Sequence, residues 1–411
     1  MHELRVNGER LWESLMTMAQ IGATRDGGCN RQALTELDKE GRDLFIRWCR
    51  DAGCSIAIDA MGNIFARRAG RIDDADPVIA GSHLDTQPTG GKFDGVYGVL
   101  AGLEVVRSMN DANLETDHPI KVVCWTNEEG ARFSPAMIGS GVWCGEFDLE
   151  YGHSRVDKDG VSIGQALTEI GYLGEKPVRY DGVKAAFELH IEQGPILEAS
   201  GSRIGIVSGV QGMNWYDITL GGVPCHAGPS PMDVRKDPFM GLSGVLEKLY
   251  ELAARHAPLS RVTFGDIRCE PGARNTVPES LVVAVDLRHP DQKVLDAMDV
   301  EMRKIVAETA AGHGLTFDIR DEWRSPTVAF APQCIDAVRE AVSSLGYSSE
   351  EMFSGAGHDS VYVSRVAPTS MIFIPCEGGI SHNPAENADF RDIEAGCNVL
   401  AQAMMRMALD D

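Results

Sequence analysis

Hydrophobic and polar positions alternate in two ways along the chain. Short apolar runs bounded by turn residues predict buried strands, and longer segments with apolar residues on one helical face predict helices. The predicted strands cover 55–59, 64–68, 77–80, 121–125, 187–191 and 370–375. The predicted helices cover 7–21, 35–53, 99–109, 334–345 and 391–408. Such alternation of strands and helices is typical of an α/β layer fold.

The pattern changes near residue 213, where strands become longer and alternate more clearly. The predicted elements are strand 214–221, helix 239–256, strand 262–269, strand 280–287, helix 292–312 and strand 315–320. Their order, β-α-β-β-α-β, is that of a ferredoxin-like domain. Because 411 residues are too many for one ordinary core, we predict two domains. A mixed-sheet α/β/α domain covers 1–212 and 328–411, and the ferredoxin-like domain, 213–327, is inserted into it.

Charge and cysteine usage narrow the function classes. The net charge of −23 argues against binding to nucleic acid or to an anionic membrane. The ten cysteines are scattered without a C-x-x-C pair, which favours a reducing compartment. Residues 1–5 have no apolar signal core, and no apolar run approaches the roughly 20 residues of a membrane span. We therefore expect a cytoplasmic protein with no membrane or nucleic-acid partner.

Five side chains that suit metal ions lie at or just beyond the ends of predicted strands: His83, Asp94, Glu129, His190 and His382. Imidazole and carboxylate donors together suit Zn²⁺ or Mn²⁺. Asp94 lies in a glycine-rich loop, where its two oxygens could bridge two ions. Two ions about 3.5–4 Å apart can lower the pKa of a shared water and polarise a carbonyl. Each residue alone is more often structural, but their joint occurrence favours a metal site.

Two further carboxylates accompany these candidates. Asp85 follows His83 by two residues and could orient its imidazole. Glu128 and Glu129 are adjacent, so their side chains point apart and one can bind metal while the other faces the cleft. The free carboxylate could take a proton from water and pass it to a leaving nitrogen.

Six segments, in order along nearly the whole chain, carry a family resemblance: 81–86 (GSHLDT), 91–95 (GKFDG), 127–133 (NEEGARF), 188–195 (ELHIEQGP), 355–359 (GAGHD) and 380–383 (ISHN). On these segments the chain resembles the M20 metallopeptidase-like amidohydrolases, in their amidase/hydantoinase/carbamoylase branch. The likeness is nearest to N-carbamoyl-L-amino acid hydrolases, with β-ureidopropionases as near kin.

The resemblance implies two divalent ions per subunit, Zn²⁺ or Mn²⁺, with Co²⁺ and Ni²⁺ as further options. Their ligands would be His83, Asp94 and His190 for one ion, and Asp94, Glu129 and His382 for the other. Glu128 would be the general base and Asp85 would orient His83. The M20 peptidases commonly carry a carboxylate in place of His190, so this histidine separates the amidohydrolase branch from them.

The inserted domain resembles the lid and dimerisation domain of the family. Segment 224–228 (PCHAG) is similar to one whose histidine reaches the active site, often from the partner subunit of a dimer, although a cysteine before this histidine departs from the usual pattern. His226 would stabilise the oxyanion. Asn275 and Arg288 would hold the substrate carboxylate, since a guanidinium makes a forked pair with it. Gln193, Gln211 and His358 would line the cleft.

These implications predict a homodimeric amidohydrolase that removes the carbamoyl group from N-carbamoyl-L-amino acids. Three alternatives stay open. The substrate could be allantoate or N-carbamoyl-β-alanine, with the same site machinery. The chain could be an M20 dipeptidase or aminoacylase, or a non-catalytic binding protein on the same scaffold.

Overall fold

A computed structural model describes residues 4–410 of the chain. Residues 1–3, which belong to the segment inspected for a signal core, and residue 411 lie outside the described part. The chain forms two compact units. One contains the chain up to Gly209 and again from Ala329 onward, and the other is Val210–Val328. The second unit is three residues longer at its start, and one at its end, than the predicted inserted domain.

The described strands are β1 (Ser55–Ile58), β2 (Ile64–Arg68), β3 (Val78–His83), β4 (Ile120–Trp125), β5 (Ala185–Ile191), β6 (Ile204–Val210), β7 (Gly212–Gly221), β8 (Cys225–His226), β9 (Arg261–Glu270), β10 (Thr276–Val277), β11 (Ser280–His289), β12 (Thr316–Ser325), β13 (Val328–Ala329), β14 (Ser349–Ser354) and β15 (Thr369–Ile374). The described helices are α1 (Gly8–Met18), α2 (Glu36–Asp51), α3 (Val96–Asp111), α4 (Ile138–Cys144), α5 (Leu149–Ser154), α6 (Ile163–Ile170), α7 (Ile196–Ser200), α8 (Pro238–Arg255), α9 (Gln292–Gly312), α10 (Pro332–Leu345), α11 (Ser360–Val363) and α12 (Phe390–Ala408). Short 3₁₀ turns lie at Met232–Val234 and Glu377–Gly379.

The first unit is built on a mixed nine-stranded sheet. Its order is β1-β2-β4-β3-β5-β15-β6-β13, with β14 beside β6. The central strands β4, β3, β5 and β15 are parallel to one another, whereas β2 and β6 pair with this block in the antiparallel direction. These four strands are buried at every residue. Ala80 and Val122 face the main core, and Ile79 and Val123 face a second apolar cluster, so both faces of the sheet are covered.

Helices of the first unit begin where local signals predict. Asn7 caps α1 by accepting from the N–H of Arg10, and Thr35 caps α2 by accepting from that of Asp38. The Asp38 carboxylate accepts from Leu34 N at 2.8 Å, so Thr35 and Asp38 do not form a reciprocal capping box. Helix α3 begins at Val96, three residues before the predicted start at residue 99. The prediction omitted the helices α4–α7, which hold too few residues to show a helical periodicity, and it also omitted the strand β6.

The second unit has a four-stranded antiparallel sheet in the order β12-β7-β11-β9. In chain order these strands are the fourth, first, third and second, which is the ferredoxin-like arrangement that the pattern predicted. Helices α8 and α9 bury apolar residues, among them Leu242, Val245, Leu249, Met298 and Met302, against one face. The last strand, β12, runs to Ser325, five residues beyond the predicted end.

The described residues contain neither a membrane-spanning helix nor a disulfide. Within residues 4–410, no helix has the length and apolar character that crossing a bilayer requires. All ten cysteines lie in this range, and none of them forms a disulfide.

Candidate metal centre

The five predicted ligands meet at one edge of the first unit's sheet. His83 is the last residue of β3, His190 is the next-to-last residue of β5, and Glu129 follows β4 by four residues. His382 lies in the loop after β15, and Asp94 lies in the loop between β3 and α3. Because the four strands are parallel, their carboxyl ends share an edge, where open α/β sheets place their sites. The fold therefore brings His83 and His382 to the same site, although they are 299 positions apart in the sequence.

The ligands form two groups that share Asp94, and the ligand atoms of each group lie within 4.8 Å of one another. In the first group Asp94 Oδ1 is 3.0 Å from His190 Nε2 and 3.7 Å from His83 Nε2. In the second group Asp94 Oδ2 is 3.3 Å from His382 Nε2. His382 Nε2 is also 3.4 Å from Glu129 Oε2. Asp94 thus presents one oxygen to each group, as a bridging carboxylate does.

Main-chain carbonyls hold both imidazoles of the first group. His83 Nδ1 donates to the carbonyl of Asp85, and His190 Nδ1 to that of Ile191, each at 2.8 Å. A carbonyl can only accept, so Nδ1 carries a proton and Nε2 is the nitrogen that faces Asp94. Gly95, at φ +67°, packs under the His83 ring, where a Cβ would lie 2.3 Å from its atoms. The first group is thus rigid and buried.

The second group is less enclosed. The His382 side chain is 51% exposed, its backbone is left-handed at φ +53°, and none of the described residues hydrogen-bonds its Nδ1. Glu129 is held by Gln87, whose main-chain N–H and side-chain Nε2 donate to the two carboxylate oxygens at 3.1 and 2.8 Å. One ligand of this group is therefore fixed by its neighbours, while the other depends on its loop.

The electrostatics of the centre favour cations. Burial, followed by the charge of Asp94, raises the pKa of Glu129 to about 8. Burial opposes protonation of His190, but the hydrogen bond with Asp94 outweighs it and raises the pKa of this imidazole to about 9. The negative charge of the carboxylates stabilises either a proton or a metal ion at this point. With imidazole nitrogens and carboxylate oxygens as donors, the residues fit two divalent ions of the Zn²⁺ or Mn²⁺ kind.

Glu128 lies beside the centre without belonging to either group. Its Oε2 is 3.4 Å from His83 Nε2. Burial, with the neighbouring carboxylates of Asp359 and Glu129, raises its pKa well above the usual value. A carboxylate with this affinity for a proton is suited to general base and acid chemistry.

Asp85 contacts His83 differently from the prediction. Its main-chain oxygen, not its carboxylate, holds the His83 ring. The carboxylate instead accepts from the N–H groups of Glu128 and Glu129 at 3.3 and 3.2 Å. Asp85 therefore orients the first ligand through its backbone and holds the turn that carries Glu128 through its side chain.

Two of the predicted cleft residues lie next to the ligands. Gln193 Nε2 donates to Asp94 Oδ2 at 2.9 Å, while Gln193 Oε1 is buried without a hydrogen-bond partner among the described residues. His358 is buried and packs edge-on against His190, with ring centroids 4.6 Å apart. Its Nε2 lies 3.0 Å from Ser354 Oγ. Gln211, the third, belongs to the second unit.

The second unit brings His226 and Asn275 together. His226 in β8 pairs with Thr276 in β10, and Ala227 N donates to the Asn275 carbonyl at 2.9 Å. Both side chains are exposed. Arg288 in β11 is half-buried, and its guanidinium donates to both oxygens of Asp286, with a shortest distance of 2.7 Å. The predicted substrate-binding residue Arg288 is therefore paired with Asp286 inside the second unit.

Sequence reasoning missed several residues around the ligands. Glu386 and Ser381 contact the Asp94 loop, and Gln87 holds Glu129. Arg42, fully buried, donates to Asp38 and to the hydroxyl of Thr126, at the start of the turn that carries Glu128. Only Glu386 had a local signal, as an acidic residue four positions after His382. Ser381 adjoins His382 and Gln87 follows His83 by four residues, whereas Arg42 lies far from every ligand along the chain.

Comparison with known proteins identifies the family. The sequence profile of Peptidase family M20/M25/M40 matches residues 79–406. The chain belongs to this family. An N-carbamoyl-L-amino-acid amidohydrolase from Rhizobium meliloti is 47% identical over 404 residues, which are 98% of this chain and 97% of that M20 protein. The resemblance found in the sequence is thereby confirmed.

Further M20 relatives extend the comparison. The crystal structure of an amidase of the hydantoinase/carbamoylase family from Burkholderia multivorans is 53% identical, covers 99% of each chain and has a TM-score of 0.97. An allantoate amidohydrolase from Bacillus subtilis is 33% identical over 394 residues, 95% of each protein. The relatives thus include amidohydrolases named for different ureido substrates.

Proposed function

We propose that this protein is a binuclear metal-dependent amidohydrolase that cleaves the carbamoyl group from N-carbamoyl-L-amino acids. The observation that carries the proposal is the pair of donor groups joined by Asp94, with the Glu128 carboxylate beside them but outside both. The substrate class is supported by the relative from Rhizobium meliloti, which matches along nearly its whole length.

The proposed reaction is a hydrolysis of the ureido C–N bond. Two divalent ions bound at the centre would supply Lewis acidity toward the ureido carbonyl and lower the pKa of water. Glu128 takes a proton from the attacking water and delivers it to the amino-acid nitrogen as the bond between that nitrogen and the carbonyl carbon breaks. The products are the free amino acid and carbamic acid, which decomposes to ammonia and carbon dioxide.

Three residues of the second unit are proposed to bind the substrate. We assign the oxyanion to His226 and the substrate carboxylate to Asn275 and Arg288. Gly228 N donates to His226 Nδ1 at 3.0 Å, so Nε2 carries the proton of a neutral ring and can donate to a developing oxyanion. The amide of Asn275 and the guanidinium of Arg288 suit a carboxylate. Gln193, Gln211 and His358 are proposed to shape the pocket for the ureido group.

The second unit is proposed to act as a lid and as the surface of a homodimer. Strand β9 is an unpaired edge of its sheet, and α8 exposes Phe239, Met240 and Tyr250. An edge strand with apolar neighbours favours pairing with a second copy. The unpaired cysteines, seven of them buried, support the proposal of a reducing, cytoplasmic location.

A second candidate substrate is allantoate, because the relative from Bacillus subtilis is named for it. N-carbamoyl-β-alanine is a third, since it carries the same ureido group. His190, where M20 peptidases commonly have a carboxylate, argues against a dipeptidase or an aminoacylase. Glu128 beside an intact ligand set argues against a non-catalytic binding protein.

The test is ammonia release by the metal-loaded protein from N-carbamoyl-L-methionine, its D-enantiomer, N-carbamoyl-β-alanine and allantoate. We expect the L-compound to be hydrolysed fastest. A clear preference for allantoate or for the β-alanine derivative would replace the proposed substrate by that one. No turnover of any of the four would overturn the proposed reaction.

Glu128→Gln provides the control because glutamine keeps the shape of the side chain but cannot accept the proton. The variant should bind two ions and lose turnover. A binding protein would instead retain its ligand affinity in this variant and show no turnover in the wild type.

A further inference from the structure

Glu386 is a buried carboxylate that lies between the two ligand loops. It follows His382 by four residues and is 1% exposed. Its Oε1 accepts from the main-chain N–H groups of Phe93 and Asp94 at 2.9 and 3.1 Å. Its Oε2 accepts from the hydroxyl of Ser381 at 3.1 Å. Burial of a carboxylate is energetically unfavourable. The burial of Glu386 with only these three hydrogen bonds therefore indicates a role in this part of the structure.

The contacts join segments that are far apart along the chain. The Asp94 loop follows β3, whereas Ser381, His382 and Glu386 belong to the loop after β15. The side chain of Glu386 covers Gly91, where a Cβ would lie 2.1 Å from the carboxylate. Only glycine permits this approach. Glu386 is thus packed directly onto the backbone that presents the bridging aspartate.

The same network reaches the bridging oxygen itself. Ser381 Oγ lies 3.1 Å from Asp94 Oδ2 as well as from Glu386. Gln193 Nε2 donates to this Asp94 oxygen and to Ser381 Oγ at 2.9 and 3.2 Å. Asp94 Oδ2 is the oxygen that faces His382. Glu386 therefore supports the second donor group, through Ser381 and through the backbone of Asp94.

The second group needs such support more than the first. His83 and His190 end buried strands, and a carbonyl holds each ring. His382 has neither advantage, since its side chain is half exposed and no described residue bonds its Nδ1. Apart from the contacts of its Nε2 with Asp94 and Glu129, the position of its ring is set by its loop. Glu386 is the buried side chain of that loop that bonds directly to the Asp94 loop.

We propose that Glu386 is a positioning residue that holds the His382 loop against the Asp94 loop and so assembles the second metal position. It acts through Asp94 and His382 and does not touch the substrate. The inference rests on the metal centre of the proposed function but not on the identity of the substrate.

The test counts bound ions by equilibrium dialysis against Co²⁺ and records the visible spectrum of the cobalt protein. Glu386→Ala removes all three hydrogen bonds. It should lower the affinity of the second position for Co²⁺ roughly 10- to 100-fold, the range found for residues that support metal ligands. The first ion should bind with wild-type affinity. Glu386→Gln retains an acceptor for the main-chain N–H groups and should restore most of the second binding.

Two further variants sharpen the result. Ser381→Ala removes only the contact with Oε2 and should give an intermediate weakening, which keeps the proposal testable if Glu386→Ala does not fold. Glu377→Ala is the matched control, because this carboxylate lies in the same loop but contacts Asn387 instead of the Asp94 loop. It should bind both ions like the wild type.

Two Co²⁺ ions bound with wild-type affinity and an unchanged spectrum in Glu386→Ala would overturn the proposal, as would equal weakening of both ions. A wild-type protein that binds no second ion would overturn the metal centre itself. A wild type that binds two ions but hydrolyses none of the carbamoyl substrates would refute the proposed reaction, and the ion counts would still decide the role of Glu386.

Discussion

Replacement of Asp85 by Asn separates two roles that this residue could have. In the structure its carboxylate accepts from the N–H groups of Glu128 and Glu129, whereas its main-chain oxygen holds His83. Asparagine keeps the size of the side chain and the main-chain oxygen. Its oxygen can still accept from one of the two N–H groups, but its NH₂ then faces the other. The substitution therefore disturbs the turn of Glu128 and leaves the His83 contact in place.

The size of the effect follows from the bonds lost. A hydrogen bond to a charged group contributes about 1.5–3 kcal/mol, and each 1.36 kcal/mol changes a rate about tenfold. If the loss falls on the positioning of Glu128 in the transition state, kcat/KM should fall roughly 10- to 150-fold. Because His83 keeps its carbonyl partner, the ion count should stay at two.

The assay combines kcat/KM for ammonia release with an ion count on the same preparation. Asp74→Asn is the matched control, since Asp74 is exposed and lies before β3, away from the ligands. Loss of the first ion in Asp85→Asn, to the degree seen in His83→Ala, would show that the carboxylate acts on His83 and would refute this reasoning. So would a kcat/KM within twofold of the wild type.

Three other predictions concern the centre and its support. Removal of the metal ions with a chelator should lower the thermal midpoint of unfolding, and added Mn²⁺ should restore it, because ions that bind only the folded state stabilise it; an unchanged midpoint in differential scanning calorimetry would contradict this. Arg42→Met should lower the free energy of unfolding by about 3–5 kcal/mol in urea titrations, because it leaves Asp38 buried without its cation, and a loss below 1 kcal/mol would be inconsistent with that pair. Gly95→Ala should abolish binding of the first ion, because the new Cβ would meet the His83 ring at a positive φ, whereas Gly265→Ala, which meets nothing within 4 Å, should bind both ions.

The cluster of candidate ligands could be predicted because the signals of its residues are local. Each of His83, Glu129 and His190 adjoins a buried apolar run, and such a run predicts a strand without any knowledge of its neighbours. Parallel strands then bring these residues to one edge of the sheet. The order of elements in 213–327 was also sufficient for the ferredoxin-like arrangement, since the strands there alternate clearly and the helices are long.

The missing part of the site depends on contacts across the fold. Spacing placed Asp85 near His83, but no pattern shows whether its carboxylate or its carbonyl makes the contact. His358 packs against the His190 ring, a contact that the segment around His358 does not predict. The main-chain partners of Glu386, Phe93 and Asp94, precede it by more than 290 positions. Such contacts follow from the relative positions of two loops, which no single segment encodes.

Buried acidity connects these observations. Asp85, Asp94, Glu128 and Glu386 lie within one buried region of a chain that already carries a net charge of −23. Burial raises the pKa of Glu386 to about 7, as it raises that of Glu128. A core does not retain so many carboxylates unless hydrogen bonds or cations compensate them. Main-chain N–H groups compensate Asp85 and Glu386, whereas in the described chain Asp94 and Glu128 have only histidines, and no lysine or arginine, as ion-pair partners. Divalent ions would supply the missing positive charge, so folding and metal binding should be coupled at this edge of the sheet.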